Sequence, residues 1–208
     1  MVLKRALIPI VLLVPLAACE PPGGSDEMAN SPLRGSIVET GSERPRFTLS
    51  DTHGNPYSFE DETDGLLAFI FFGYTNCPDV CPIHMATLAS SIERLDPADR
   101  GRVRVVFIST DPLRDTPDVL RRWLDSFDPG FVGLRGTVDE VNAVAESLLL
   151  PPAAVPVGAG DSYTVGHAAS VLAVTPDGGT RVKYGFGTRQ EDWATDLPLL
   201  LQWKAQAP

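Results

Sequence analysis

Cysteine is scarce in this chain: three in 208 residues, at positions 19, 77 and 81. A zinc site built from four thiolates is therefore excluded. Histidine is as rare, with His53, His84 and His167 as the full set. Basic residues are also in deficit. Seventeen Lys and Arg face 27 Asp and Glu, a formal net charge of −10. That balance argues against nucleic acid and against anionic headgroups as partners. No uninterrupted apolar run approaches the ~20 residues of a membrane-spanning helix. Internal repeats and long charge runs are absent too.

The longest apolar run is at the N-terminus, Ala6 to Ala18, directly after Lys4 and Arg5 and directly before Cys19. It is too short to span a bilayer comfortably and suits the core of a signal peptide. The residues "LAAC" resemble a bacterial lipobox, which implies cleavage before Cys19 and lipid on its thiol and its new amino group. Cleavage would remove Lys4 and Arg5, leaving 15 basic residues against 27 acidic ones, a net charge of −12. The anchor is then lipid rather than electrostatic, and several acyl chains hold where one does not. An ordinary signal peptide with an incidental cysteine is the competing reading.

Residues 20–36, "EPPGGSDEMANSPLRGS", carry Pro, Gly and Ser without apolar period and read as a flexible tether. Regular patterning starts at Arg46. "RFTLSD" and "PYSFED" around "THGN" read as a hairpin with Gly54 and Asn55 in the turn. "LLAFIFF", 66–72, has no polar alternation and reads as a strand buried on both faces. Residues 83–95 place Leu88, Ile92 and Leu95 on one helical face. "VRVVFIST" is the next strand, and 117–127 and 138–149 again have helical spacing. "FVGLRG" reads as a short strand. "LPPAAVPVGAGDS", 150–162, is a long Pro/Gly loop of a length often used for function. "HAASVLAVTP" and "RVKYGFG" around "DGGT" form a second hairpin, and 190–204 a final helix with Pro198 at a break or in its first turn. Strands separated by helices imply a parallel central pair with helices packed on the sheet. The expected class is α/β, a thioredoxin-like fold with an N-terminal hairpin extension and an inserted C-terminal hairpin, over residues 37–208.

"CPDVC", 77–81, directly follows the buried strand. Pro82 marks a helix start, with Cys81 expected as its N-cap and 77–80 as a loop at the strand's C-terminal end. Chemistry favours that end of a sheet, and the helix dipole there favours thiolate. As a structural staple so short a loop contributes little. Two thiolates and an imidazole suit copper, Cu(I) through sulfur and Cu(II) with nitrogen added. Zinc would want a fourth protein ligand. A dithiol oxidoreductase would need no histidine, and more commonly has two residues between its cysteines. His53 falls in a turn, and His84 shares a helix face with Cys81. His167 precedes an apolar strand, where a structural role is the ordinary one.

"FFGYTNCPDVCP" is similar to the signature of the SCO/SenC family of copper-binding, thioredoxin-fold proteins. "FISTDPLRDTPDVLRRW", "FVGLRGTVDEV" and "YTVGHAASVLAVTPDGG" resemble further blocks of that family, in family order from Arg46 to Leu201. The resemblance implies Cys77, Cys81 and His167 as ligands of one copper ion per chain, Cu(I) or Cu(II). It implies Cys77–Cys81 as the redox-active disulfide pair in the oxidised state. Asp79, inside the motif, is expected to orient or tune the site; a loop aspartate capping nearby backbone is the alternative. Two positions depart from the pattern: Asn76 stands where the family often has histidine, and Gly166 where it often has aspartate beside the ligand histidine.

The function implied is copper delivery to the dinuclear copper centre of cytochrome c oxidase subunit II. The protein would work at the periplasmic face of a bacterial inner membrane, with another periplasmic copper chaperone as a further partner and no catalytic residues. The alternative is a thiol–disulfide reductase that keeps the partner's copper-binding cysteines reduced. A peroxiredoxin-like peroxidase or redox sensor on the same fold would need only one nucleophilic cysteine. The lipid assignment carries its own test. Cys19→Ser is expected to leave the domain folded but release it from membranes or stall it as precursor; normal processing and membrane fractionation of that variant would contradict it.

Overall fold

A computed structural model describes residues 32–38, 43–155 and 163–203. The expected leader, Cys19, most of the expected tether and residues 156–162 of the long loop lie outside the described residues. In chain order the strands and helices are β1 (Ser36–Ile37), β2 (Thr48–Asp51), β3 (Pro56–Ser58), α1 (Phe59–Glu62), β4 (Leu67–Gly73), α2 (Val80–Glu93), α3 (Pro97–Arg100), β5 (Val103–Ser109), α4 (Pro117–Asp125), β6 (Val132–Arg135), α5 (Val138–Ser147), β7 (Val171–Val174), β8 (Thr180–Tyr184) and α6 (Gln190–Leu201).

β4 organises the molecule. All seven of its residues are buried, as the unbroken apolar run requires. It pairs in parallel with β5 and antiparallel with β7, so neither edge meets solvent. Its side chains alternate between two cores, as a strand's period of two dictates. Leu67, Phe69 and Phe71 pack with Met85, Leu88 and Ile92 of α2, Leu120 and Leu124 of α4, and Trp193 and Leu197 of α6. Ala68, Ile70 and Phe72 pack with Val141, Val144 and Ala145 of α5, and with Phe59 and Leu49. The result is a sheet between two helical layers, the thioredoxin-like α/β arrangement expected.

One eight-stranded sheet runs β1-β8-β7-β4-β5-β6-β2-β3. β6 is a true strand, parallel to β5. The β2–β3 hairpin extends the sheet beyond β6. Its turn is held by the Asp51 carboxylate, which accepts from the His53 and Asn55 backbone N–H groups, with Gly54 at φ +83°. β7 and β8 form the inserted hairpin. Among the described residues no helix is long and apolar enough to cross a membrane.

Two helix boundaries differ from expectation. α2 begins at Val80, not after Cys81, because the Asp79 carboxylate caps the Val80 N–H at 2.6 Å. Pro82 is then the third helical residue. It still costs no hydrogen bond, since the first helical pair is Ile83 N–H to Asp79 C=O. Pro198 sits well inside α6 rather than at a break. Its missing N–H leaves the Ala194 carbonyl unpaired within the helix, but both residues lie on the solvent face, where water can serve that oxygen.

The N-terminal edge is locked by a buried carboxylate. Asp196 of α6 accepts from the backbone N–H groups of Arg34 and Gly35 and from the Tyr184 hydroxyl at 2.7 Å. Gly35 is packed so closely that a Cβ would lie 2.3 Å from Val182 Cγ1. Asp196→Ala would strand the buried Tyr184 hydroxyl, at about 1–3 kcal/mol, and release the partly buried N–H groups of Arg34 and Gly35. The purified protein is expected to lose about 3 kcal/mol in urea unfolding, with the loss concentrated at β1 in hydrogen exchange. An unchanged midpoint would contradict this account.

Candidate metal centre

The site lies where β4 ends. Gly73 closes the strand, and a Cβ there would sit 2.7 Å from Cys81 Sγ and 3.0 Å from the Phe107 ring. Glycine at this position is what lets the thiol settle against the strand terminus. Thr110 holds the same point, donating its backbone N–H to the Gly73 carbonyl at 2.7 Å. The chain then leaves the sheet through Tyr74 and Thr75. Thr75 is fastened by Asp115, fully buried, whose carboxylate accepts from the Thr75 N–H, the Thr75 hydroxyl at 2.6 Å and the Ser109 hydroxyl at 2.6 Å. Burial pushes the Asp115 carboxyl up, and these hydrogen bonds oppose it. The Cys77 N–H returns to the Tyr74 carbonyl.

Cys77 is 8% exposed and Cys81 fully buried, and both are free thiols. Cys81 belongs to the apolar face of α2 with His84, Met85, Leu88 and Ile92. His167 arrives from the opposite side, ahead of β7. Its approach is set by a two-bond bridge between Ala154 and Gly166, at 2.8 and 3.1 Å, which pinches together the two ends of the long loop. Cys81 Sγ and His167 Nε2 are 3.7 Å apart, and one donor atom from each of Cys77, Cys81 and His167 lies within 4.8 Å of the others. Bonds of about 2.0–2.3 Å to imidazole and thiolate put donors about 3.5–4.6 Å apart around one ion. The three side chains thus stand close to the spacing that a single metal needs, and two sulfurs with one nitrogen suit a soft cation. The same proximity leaves the two thiols a short rotation from a disulfide.

The electrostatics run against the expected thiolate. Burial, first, pushes the Cys81 thiol well up; the Tyr74 backbone opposes it, and the neighbouring Cys77 adds to the rise. A helix N-terminus favours negative charge, but in this apolar seat desolvation wins. For His167, burial lowers the pKa, with the Ala168 and Phe72 backbone opposing. Its Nδ1 is 3.0 Å from the Ala168 carbonyl, which can only accept; with the ring proton on that nitrogen, a bare Nε2 faces Cys81. This answers the departure at Gly166. A metal-ligating histidine needs a partner on its second nitrogen, and here a backbone carbonyl takes the place of a carboxylate. A Cβ on Gly166 would meet only Ala154 Cβ at 3.5 Å, an ordinary contact.

The remaining candidates separate cleanly. Asp79 is exposed and its carboxylate is engaged by the Val80 N–H. His53 lies in the β2–β3 turn, away from the cluster. Asn76 is exposed. His84 is 1% exposed, with Nε2 on the Ala169 carbonyl at 3.3 Å and its ring against Phe71 and Phe186; it is not one of the three clustered donors. Sequence reasoning missed Gly73, Asp115 and a group formed by Asp111, Arg114 and Tyr163 beside the site. Gly73, Asp111, Arg114 and Asp115 sit in the two motif blocks around β4 and β5 and Tyr163 opens the block that holds His167, so position alone marked them, without a role.

The sequence pattern described as SCO1/SenC matches residues 37–202. The chain belongs to the SCO1/SenC family. Among its relatives is the mitochondrial protein SCO2 of Saccharomyces cerevisiae, 35% identical over 136 residues. That match takes in 64% of this chain and 44% of the yeast protein, so the chain spans less than half of that relative's length. Among solved SCO structures, Bradyrhizobium japonicum ScoI with copper bound is 34% identical at a TM-score of 0.65, covering 76% of this chain and 99% of the other. Yeast Sco1 with copper bound is 29% identical at a TM-score of 0.69, covering 80% and 91%.

The buried histidines make this SCO1/SenC domain sensitive to acid. Burial lowers the pKa of both His84 and His167 below the unfolded value of 6.5. The unfolded chain therefore binds more protons as pH falls through that value. Their contribution is fully present above about pH 6.5 and is lost on acidification toward the lowered folded values. His84→Phe, flanked by Phe71 and Phe186, is expected to flatten the stability loss between pH 7 and 5 in urea titrations. An unaltered slope would contradict the assignment.

Proposed function

We propose that this protein is a copper chaperone for cytochrome c oxidase assembly, and that its destination is the dinuclear copper centre of subunit II. The observation that carries the reading is the convergence of Cys77, Cys81 and His167 within 4.8 Å at the end of a buried strand. Membership of a family with copper-bound relatives supports it. Copper is cargo here, and the ligand set fits it. Cys77 and Cys81 supply sulfur for Cu(I), and His167 supplies the third donor through Nε2. Loading displaces the proton that burial keeps on Cys81. Release is ligand exchange, in which the partner's thiolates replace the three donors in turn. No side chain of this chain needs to act as a general acid or base.

The same reading includes a processed leader of residues 1–18, lipid on Cys19 and a tether from there; the tether expected to reach residue 36 is cut short, because Arg34 and Gly35 are bonded to Asp196 and Ser36 pairs in β1, so they belong with the domain. It places the protein in a bacterial periplasm on the inner membrane, with a second periplasmic copper chaperone as donor. Asp79 acts in it as helix cap, through Val80, and so orients the Cys77–Cys81 loop.

A second reading is favoured by one observation: both thiols are free and adjacent. A Cys77–Cys81 dithiol could reduce the oxidised copper-binding cysteines of the partner, becoming a disulfide itself. His167 separates the two, since metal transfer uses it and dithiol exchange does not. His167→Ala should keep weakened Cu(I) binding through the thiols and lose Cu(II), which prefers nitrogen and oxidises an unsupported dithiol. A strain carrying only His167→Ala, grown at limiting copper, is expected to lose subunit II copper and oxidase activity. Normal assembly there, with failure of a Cys77→Ser strain, would favour the reductase.

A further inference from the structure

His167 is not carried by a regular element. β7 starts four residues later, and the Ala154–Gly166 bridge is the one strand-like pairing described for the segment from Tyr163 to Ser170. Buried Val165 and Ala168 and the Ala169 carbonyl against His84 Nε2 hold its middle and end; its start, which also bears on the imidazole 3.7 Å from Cys81 Sγ, needs a hold of its own. The loop after β5 supplies a group built for that task. Asp111, fully buried, accepts from Arg114 Nε and from the Tyr163 hydroxyl at 2.7 Å. Arg114 Nη1 donates to the Tyr163 carbonyl at 2.9 Å. The guanidinium lies on the Tyr163 ring, with Cζ 3.6 Å from the ring centre. Tyr163 is thus gripped at its carbonyl, its ring and its hydroxyl. It stands four residues before His167.

A second route leads from the same guanidinium. Arg114 Cζ is 5.6 Å from the centre of the Tyr74 ring, and Tyr74 meets the His167 imidazole edge-on at 5.6 Å. One planar cation therefore touches both segments that must meet: the Tyr74 end of the cysteine loop and the Tyr163 end of the histidine segment. Lysine has neither the plane to stack nor the fork to serve carbonyl and carboxylate together.

We propose that Arg114 is a positioning residue that presents His167 to the Cys77–Cys81 pair. It acts through Tyr163 and Tyr74 and does not itself touch the metal. The inference rests on the copper reading above. Removing the support of a ligand in this way typically costs 10–100-fold in metal affinity.

The test uses the full-length protein with Cu(I) and Cu(II) as probes. Arg114→Lys and Tyr163→Leu are expected to weaken Cu(II) binding by about tenfold or more and to diminish the imidazole nitrogen splitting in its electron paramagnetic resonance spectrum. Cu(I) should still bind at one per chain. The double variant should be no worse than the more affected single one, since the two residues act as a unit. Arg121→Lys is the matched control: Arg121 bonds Asp125 and the Phe131 carbonyl, away from the ligands, and its loss should cost stability without changing the nitrogen splitting. Without metal, the His167 ring should give one sharp set of NMR resonances in the native protein and several or broadened ones in Arg114→Lys. If Arg114→Lys does not fold, Tyr163→Leu decides alone. Cu(II) affinity within twofold of native, with unchanged nitrogen splitting and a single His167 signal, would overturn the proposal. Native protein that binds no copper would instead overturn the chaperone reading, while the metal-free His167 signals would still report on Arg114.

Discussion

Cys81 Sγ occupies the space into which a side chain on Gly73 would project. That contact fixes the thiol to the end of β4, a strand with no free edge and no exposed residue. Close-packed interiors barely yield, so the sulfur inherits the rigidity of the central sheet. The rest of the centre is arranged around it. Asp79 starts α2 one residue ahead of Cys81, Asp115 ties down the chain between Gly73 and Cys77, and the Ala154–Gly166 bridge brings the imidazole from the other side.

Two opposing fields meet at that sulfur. The helix N-terminus draws negative charge to it, while burial resists charge of either sign. Desolvation prevails for both Cys81 and His167, raising the pKa of the thiol and lowering that of the ring, so burial favours the uncharged form of each. An isolated thiolate in such a seat is costly. A soft cation that arrives as the proton leaves removes the cost, because charge is then paired inside the protein. Two sulfurs and an imidazole in so apolar a seat are better matched to a soft cation than to a lone thiolate.

Much of the architecture was legible in the sequence. The unbroken run at 66–72, the helical spacing after Pro82 and the two turn signals around "THGN" and "DGGT" each produced the element expected, because burial and turn chemistry are local properties. The helix boundary at Cys81 was not, since proline is tolerated throughout the first turn and the deciding cap came from Asp79. Pro198 misled for a related reason: its position on the solvent face of α6, which makes it tolerable, depends on packing. Within the site, the cysteines announced themselves by spacing, whereas His167 was marked by family likeness alone. Its placement relies on Ala154, Ala168 and Tyr74, partners that are distant in sequence or contribute only backbone. The roles of Gly73 and Asp115 were hidden likewise, because each acts on an atom that sequence order does not bring near it.

β1 runs antiparallel to β8, with Ser36 beside Lys183 and Ile37 beside Val182. Tyr184, one residue further along β8, stands beside Val171, and Val171 beside Phe71, two residues short of Gly73. The polypeptide therefore enters the sheet at the rim that carries Cys77, Cys81 and His167 and travels away from it, with Asp196 as the fixed pivot at Arg34 and Gly35. The start of β1 and the three candidate donors thus share one rim of the sheet, while α3, just ahead of β5, lies at the other.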